Sequence, residues 1–159
     1  MNKPSKQILF VIGGIILYVG GQTVRREMLD LKYFKAVEFG VWYPAMSIEL
    51  LVKLDKFRDL WGDIVTITPV QGGIGREDES GSMHNVLKWG EVRAIDVFPR
   101  GMDSLADRKR AFKLAQLAGF NGIGLYTDTK PSNMLHLDTR DEFLFWTRES
   151  RVYKYNQIL

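Results

Sequence analysis

An uncharged hydrophobic segment near the amino terminus needs different surroundings from the rest of the chain. The segment Ile8–Val24 reads ILFVIGGIILYVGGQTV, with two lysines before it and two arginines directly after it. Its length, about 17 residues, is close to the lower limit for a helix that crosses roughly 30 Å of hydrocarbon. We therefore predict an N-terminal hydrophobic helix, with residues 1–26 forming a membrane anchor or a signal segment.

Three interpretations of this segment stay open. A retained single anchor is favoured over a cleaved signal peptide, because the sequence before Gln22 matches a cleavage site poorly, although Val19 and Gly21 are small. Four glycines weaken the segment as a membrane span. A helix buried in a soluble core is the third interpretation.

Residues 27–159 have the size of one globular domain. The chain has 159 residues, of which 45% are hydrophobic and 26% charged, and this balance excludes a disordered chain and a polytopic membrane protein. The absence of cysteine excludes a disulfide framework, a thiolate metal site and a cysteine nucleophile. Any metal must therefore be bound through nitrogen and oxygen.

The net charge of +3 belongs to the N-terminal part of the chain. Residues 1–35 hold six basic residues against two acidic ones, whereas the remainder holds 16 against 17. Binding to nucleic acid needs several lysines or arginines that neutralise phosphates, and the near-neutral domain has no segment rich in lysine and arginine. We therefore predict no nucleic-acid partner.

Helix and strand patterns alternate along the domain, which is typical of an α+β fold. Ser47 is a suitable N-cap for a helix that runs to about Leu60, and Gly62 follows as a helix stop. A second helix is predicted with Asp103 as its N-cap and Gly119 at its end. Four strands are predicted at residues 64–68, 92–97, 122–126 and 134–138, and a loop rich in glycine and acidic residues at 71–82.

The chemistry of the domain is concentrated at two histidines, the only ones in the chain. His84 and His136, together with the carboxylate of Asp96, form a ligand set that zinc accepts, with a fourth position left for water or substrate. The three residues are 12 and 40 positions apart in the sequence, so spacing alone does not bring them together. Two structural histidines with satisfied hydrogen bonds are the alternative.

Side-chain alternation supports a shared site. In the predicted strand Met134–Asp138, a period of two places His136 and Asp138 on one face, and two leucines on the other. Ala94 and Asp96 likewise share a face, and the small alanine leaves room for a substrate. One face of the sheet is therefore predicted to carry the site while the other packs in the core.

Two ordered motifs resemble those of a known family of zinc peptidases. The segment SMHNVLKWGEVRAIDV is similar to the S-x-H…G-x-x-A-x-D motif of the D-alanyl-D-alanine carboxypeptidase and endopeptidase family. The later segment NGIGLYTDTKPSNMLHLDTR resembles the G-x-G-x-Y…S-N-x-x-H-x-D-T motif of its murein endopeptidase branch. With the helix and strand that precede them, these motifs cover roughly residues 34–140.

The resemblance implies a fold, a metal and an activity. It implies the small α+β hedgehog/D,D-peptidase fold, an antiparallel sheet with packed helices, and a catalytic Zn²⁺ bound by His84, Asp96 and His136. Members of the family, many phage endolysins among them, hydrolyse peptide bonds in the stem peptides or crosslinks of bacterial peptidoglycan. Residues 27–159 are accordingly expected to form a zinc peptidase domain.

The chain departs from the family pattern at two positions. The first histidine and the aspartate are 12 residues apart instead of the commoner seven, so the loop between them is longer. Many members also carry a catalytic glutamate three residues before the last histidine, where this chain has Asn133. A neutral amide cannot act as a general base, and Asp138 is our candidate for that role. The alternative is that Asp138 orients a ligand histidine.

Two further residues are predicted to bind substrate. Ser82 is placed to hydrogen-bond the substrate, or it merely ends the loop. Arg76 lies near where related enzymes often have an arginine, and it is a candidate for binding a substrate carboxylate. An exposed loop arginine is the alternative.

The sequence therefore predicts a zinc-dependent peptidoglycan peptidase of the endopeptidase or D,D-carboxypeptidase type. We expect it to be anchored in a membrane and to face the cell wall in the periplasm, or to reside in a viral membrane or virion as a phage lysis enzyme. A structural or binding module that keeps the fold without turnover is the alternative, and a soluble peptidase acting on other peptides is a third interpretation.

Overall fold

The computed structural model of the chain describes residues 16–19, 22–25, 29–78 and 80–157. The chain divides into two compact units, Met1–Asp30 and Leu31–Leu159. In the first unit, strands β1 (Ile16–Val19) and β2 (Gln22–Arg25) pair in an antiparallel two-stranded sheet. The rest of the predicted hydrophobic helix lies outside the described residues, and the predicted anchor stays a prediction. Across the described ranges, no helix is both long enough and apolar enough to span a bilayer.

The second unit combines three helices with a six-stranded sheet. A 3₁₀ segment, Ala36–Ala45, precedes the first α-helix and changes direction at Gly40, whose φ is 56°. The helices and strands then follow as α1 (Ile48–Trp61), β3 (Val65–Ile67), α2 (Val86–Trp89), β4 (Ala94–Pro99), α3 (Leu105–Ala118), β5 (Gly122–Tyr126), β6 (Met134–Asp138), β7 (Leu144–Glu149) and β8 (Val152–Tyr155).

The sheet is mostly antiparallel. Its strand order is β3-β4-β6-β5-β7-β8, and the only parallel pair among the described strands is β5 with β7. The predicted α+β class, with an antiparallel sheet and packed helices, is confirmed at this level.

The two long helices follow from their sequences. Helix α1 begins after Ser47 and ends at Gly62, which adopts the left-handed conformation (φ 76°) that glycine tolerates at a helix end. Helix α3 also ends at a glycine, Gly119, as predicted. Its N-cap is Ser104 instead of Asp103, because the Ser104 hydroxyl and the Asp107 carboxylate form a capping box.

The core lies on one face of the sheet. Alternate residues of β4, β5 and β6 point into it, and none of their side chains is exposed: Ile95, Val97, Ile123, Leu125, Leu135 and Leu137. Helix α1 packs against β4 and α3, and α3 packs against β5. The helices thus cover this face, which leaves the opposite face of the same strands for the polar residues.

Candidate metal centre

Three ligand atoms converge on the polar face of the sheet. His84 Nε2, His136 Nδ1 and Asp96 Oδ1 belong to residues that could together hold a metal ion. The two nitrogens are 3.1 Å apart, and Asp96 Oδ1 lies 2.8 Å from His136 Nδ1 and 3.4 Å from His84 Nε2. The structure therefore brings together the three residues that the sequence singled out as metal ligands.

The sheet register places two of these ligands side by side. Asp96 on β4 is directly opposite His136 on β6, and the antiparallel pairing projects both side chains from the same face. The flanking Ile95 and Leu137 point to the other face and are fully buried in the core. Core packing of the alternate residues thus fixes which way the ligands point.

The third ligand comes from the long loop between β3 and β4. The Ile74 carbonyl oxygen lies 2.7 Å from His84 Nδ1, and the backbone N–H of Arg76 donates to the carbonyl of His84. The backbone N–H of Asp96 donates to the Gly73 carbonyl at 2.8 Å. The loop is therefore tied to both His84 and Asp96, which explains how ligands 12 residues apart meet.

Hydrogen bonds fix which nitrogen of each imidazole faces the centre. A carbonyl oxygen only accepts, so His84 Nδ1 carries the proton that is donated to Ile74, and Nε2 is bare. His136 Nε2 lies 3.0 Å from Asp138 Oδ2 and Nδ1 lies 2.8 Å from Asp96 Oδ1, so both ring nitrogens face carboxylates, and Nδ1 is bare when Nε2–H donates to Asp138. Two bare nitrogens and one carboxylate oxygen then face a common point. Three acceptors with no donor between them need a cation, and this donor set fits a divalent metal.

The electrostatics of the metal-free protein lead to the same conclusion. Burial lowers the pKa of His136, but its hydrogen bonds to the Asp138 and Asp96 carboxylates outweigh burial and raise this pKa to about 9. Burial raises the pKa of Asp96, yet its hydrogen bonds to His136 and His84 hold it well below its usual range. The site thus holds a proton on His136 where it could instead bind a metal.

An open cleft of about 880 Å³ gives access to the three ligands. Ser82 and Arg76, the predicted substrate-binding residues, line it as well. Ser82 Oγ accepts a hydrogen bond from the His84 backbone N–H at 3.3 Å. Arg76 Nη2 donates to the Gly72 carbonyl at 3.0 Å, while its Nε is buried without a partner. Both side chains are at the cleft, and their contact with a substrate stays a prediction.

Asp138 lies behind His136. Its side chain is fully buried, and it does not line the cleft. Arg140 donates to both of its carboxylate oxygens, and one of these oxygens also accepts from His136 Nε2. Burial raises the pKa of Asp138, but Arg140 and His136 outweigh burial and lower it below its usual range. This position is that of a carboxylate that orients a ligand histidine.

The side chain of Asn133 is engaged in hydrogen bonds within the fold. Its amide nitrogen donates to the Met102 carbonyl at 2.8 Å and to the Asp103 carbonyl at 3.3 Å. Asn133 directly precedes β6, three positions before His136. Asn133 therefore ties the start of β6 to the segment that leads into α3.

Sequence reasoning missed the aromatic residues beside the centre. The Trp146 ring lies 5.1 Å from the His136 ring, and the Trp146 Nε1–H donates to the Tyr126 hydroxyl at 3.0 Å. Arg148 stacks over the Tyr126 ring at 4.4 Å. Burial raises the pKa of Tyr126, so the phenol is neutral. Trp146 and Arg148 belong to the C-terminal tail, for which the sequence predicted no element.

The two glycines of β5 make room for these side chains. A Cβ on Gly122 would lie 1.9 Å from Asp138 Oδ1, and a Cβ on Gly124 would lie 2.5 Å from the Trp146 ring. Gly124 stands between His136 and Trp146 in the strand register. The absence of a side chain at Gly124 is what lets Trp146 reach His136. The sequence signal was present in Gly-Ile-Gly-Leu-Tyr, which predicted a strand and formed part of the second motif but did not indicate the neighbouring tryptophan.

The fold and the site together define a mixed α+β protein with a candidate His-Asp-His metal centre in an open cleft. Searches against family models, curated proteins and solved structures each returned no match for the chain.

Proposed function

We propose that the chain is a zinc-dependent peptidase that hydrolyses stem-peptide or crosslink bonds of peptidoglycan. The observation that carries this proposal is the set of three acceptor atoms, His84 Nε2, His136 Nδ1 and Asp96 Oδ1, at an open cleft. Three nitrogen and oxygen ligands with access for a fourth are typical of catalytic zinc sites. The two sequence motifs narrow the proposed substrate to bacterial wall peptides.

His84, Asp96 and His136 would hold the zinc ion. When bound, zinc makes water nucleophilic near neutral pH and polarises a carbonyl oxygen. The Ile74 carbonyl keeps His84 in the tautomer that presents Nε2, and Asp138 would accept the Nε2 proton of His136 while Nδ1 binds the metal. These two hydrogen bonds preorganise the ligand set.

Arg76 and Ser82 supply the substrate contacts in this proposal. Arg76 lines the cleft with a side chain that is 35% exposed, and a substrate carboxylate would pair with its guanidinium. Ser82 Oγ lies at the same wall and offers a hydroxyl donor to a substrate oxygen.

The proton acceptor of the reaction is assigned to a carboxylate. Asp138 is the candidate from the sequence, but its contacts to Arg140 and His136 support a positioning role. Besides the candidate ligand Asp96, two carboxylates line the cleft among the described residues, Asp141 and Glu142, and both are exposed. Substituting each of the three by its amide identifies the base as the one whose change abolishes turnover while zinc affinity is kept.

One observation favours the alternative of a binding module without turnover. Asn133 stands where many members of the resembled family have their catalytic glutamate, and Asp138 is the candidate base of this chain; both side chains are engaged inside the fold. Such a module would bind zinc and wall peptides but release no fragments. We place either protein at the cell wall, held by the N-terminal segment in a bacterial membrane, or in a viral membrane or virion.

The experiment that tests the proposal is mass spectrometry of fragments released from purified peptidoglycan by the full chain. We expect a release of fragments that a chelator abolishes and added zinc restores. The masses of the fragments identify the bond that is cut. Asp96→Asn is the matched inactive variant, because it removes one ligand oxygen charge and keeps the shape. Zinc binding with no released fragments favours the binding module, and fragments that persist in Asp96→Asn with chelator contradict a metal-dependent reaction.

A further inference from the structure

The hydroxyl proton of Tyr126 has no acceptor among the described residues. The Tyr126 oxygen accepts from Trp146 Nε1 at 3.0 Å, which occupies one lone pair and leaves the O–H bond free to donate. The Tyr126 side chain is 9% exposed, and it lines the same cleft as His136 and Asp96. A hydroxyl in this position has its donor directed to whatever occupies the cleft.

The surroundings of Tyr126 hold its ring in place. Tyr126 and His136 are diagonal neighbours on the same face of the β5–β6 pair, since Gly124 is directly opposite His136. The Arg148 guanidinium stacks on the Tyr126 ring at 4.4 Å and is itself paired with Asp128 at 2.9 Å. Trp146 contacts both residues: its ring lies beside the His136 ring, and its Nε1–H donates to the Tyr126 oxygen. The hydroxyl is therefore preorganised beside the candidate metal centre.

We propose that Tyr126 is a catalytic residue that donates a hydrogen bond to a ligand oxygen bound next to the metal. In a peptidase this oxygen is the carbonyl oxygen of the bond being cut, which gains negative charge as the reaction proceeds. A fixed, largely buried donor stabilises such a developing charge without reorganisation. This inference rests on the proposed function, and it concerns the proton of Tyr126 alone, while Trp146 acts through Tyr126 as a positioning residue.

The test is the binding of acetohydroxamate to the zinc-loaded full chain, measured by titration calorimetry for wild type and Tyr126→Phe. Acetohydroxamate binds zinc through oxygen atoms and needs no turnover, so the measurement is independent of the wall substrate. We expect about tenfold weaker acetohydroxamate binding in Tyr126→Phe, with zinc affinity unchanged, because one hydrogen bond to a charged oxygen is lost. If peptide hydrolysis is observed, kcat should fall by about 10²-fold with little change in KM.

Tyr155→Phe is the matched control, because this exposed tyrosine of β8 loses the same hydroxyl without lining the cleft. Its affinity for acetohydroxamate should equal that of wild type. Equal affinity of Tyr126→Phe and wild type would overturn the role of Tyr126 alone. Zinc binding without acetohydroxamate binding in wild type would do the same, and failure of the wild-type chain to bind zinc would overturn both this role and the proposed function.

Discussion

At the scale of single residues, the candidate centre is defined by the hydrogen bonds that lie behind its ligands. His84 is fixed by a backbone carbonyl, and His136 by the carboxylate of Asp138. The carbonyl removes one tautomer of His84, and Asp138 gives the His136 ring a proton acceptor on the side away from the centre. Because Asp138 is fully buried and held by Arg140, it controls the ring of His136 without entering the cleft.

Asp138→Asn tests this positioning role. An amide is neutral and can present its NH₂ group to His136 Nε2, so the variant no longer selects the tautomer with a bare Nδ1. We expect zinc affinity to fall by about 10–100-fold, and hydrolysis to return in part at saturating zinc. Competition with a chromogenic chelator measures the affinity. Asp141→Asn, an exposed neighbour whose side chain is 96% exposed, is the control and should bind zinc like wild type. Unchanged zinc affinity with complete loss of hydrolysis would instead identify Asp138 as the base.

The sequence predicted which residues form the candidate centre better than it predicted the surroundings of Asp138. Strand alternation placed His136 and Asp138 on one face, and the register confirms that Asp96 faces His136. Strand alternation predicts which face of the sheet a side chain lies on, but it does not predict the hydrogen-bond partners of that side chain. The two contacts that indicate a positioning role for Asp138 come from Arg140 and from the ring of His136. Such contacts depend on side-chain conformations that no spacing rule contains.

At the scale of elements, β5 is built to make room for its neighbours. Its two glycines lie on the polar face, where Gly122 accommodates the Asp138 carboxylate and Gly124 accommodates the Trp146 ring. Its other residues on the opposite face, Ile123 and Leu125, are fully buried. One strand therefore supplies core on one side and space for the site on the other.

Gly122→Ala tests this function of β5. The added methyl group would overlap Asp138 Oδ1 at 1.9 Å, and both atoms are enclosed, so the carboxylate must move. We expect a loss of roughly 1–3 kcal/mol in the free energy of unfolding, measured by urea denaturation, together with weaker zinc binding. Gly81→Ala is the control, since its Cβ would meet only the end of the flexible Lys88 side chain at 3.3 Å. A Gly122→Ala chain as stable as wild type would show that the space around Asp138 is not tightly enclosed.

The elements themselves were predictable where their signals are local. Helix α1, the end of α3 and strands β5 and β6 lie where capping residues, glycine stops and alternation placed them. The 3₁₀ segment and the tail strands β7 and β8 were missed. Strand β7 pairs in parallel with β5, some 20 residues earlier in the chain, and a strand whose pairing is this distant has no local turn signal.

At the scale of the whole molecule, the candidate centre couples cation binding to folding. Its three ligands come from β4, β6 and the loop before β4, so they are together only when the sheet is formed. A cation that binds this assembled set and not the unfolded chain stabilises the fold. In the absence of metal, that cation is the proton on His136.

The stability of the metal-free chain should therefore fall as the pH rises from about 6.5 to about 9. The pKa of His136 is raised from 6.5 in the unfolded chain to about 9 in the fold, so its contribution is complete below 6.5 and is lost as the pH passes 9. The pKa values of Asp96 and Asp138 are lowered, so their contributions are present above about 4 and are lost in acid. Urea midpoints measured with chelator across pH 4 to 9.5 should be highest between about pH 4 and pH 6.5.

Added zinc replaces the proton on His136 Nδ1, so the stabilising effect of zinc should grow over the pH range in which the metal-free chain loses stability. His136→Gln should flatten the decline in stability above pH 6.5. A wild-type profile that is already flat above pH 6.5 would contradict a protonated His136, and with it the set of three acceptor atoms from which the metal centre is inferred.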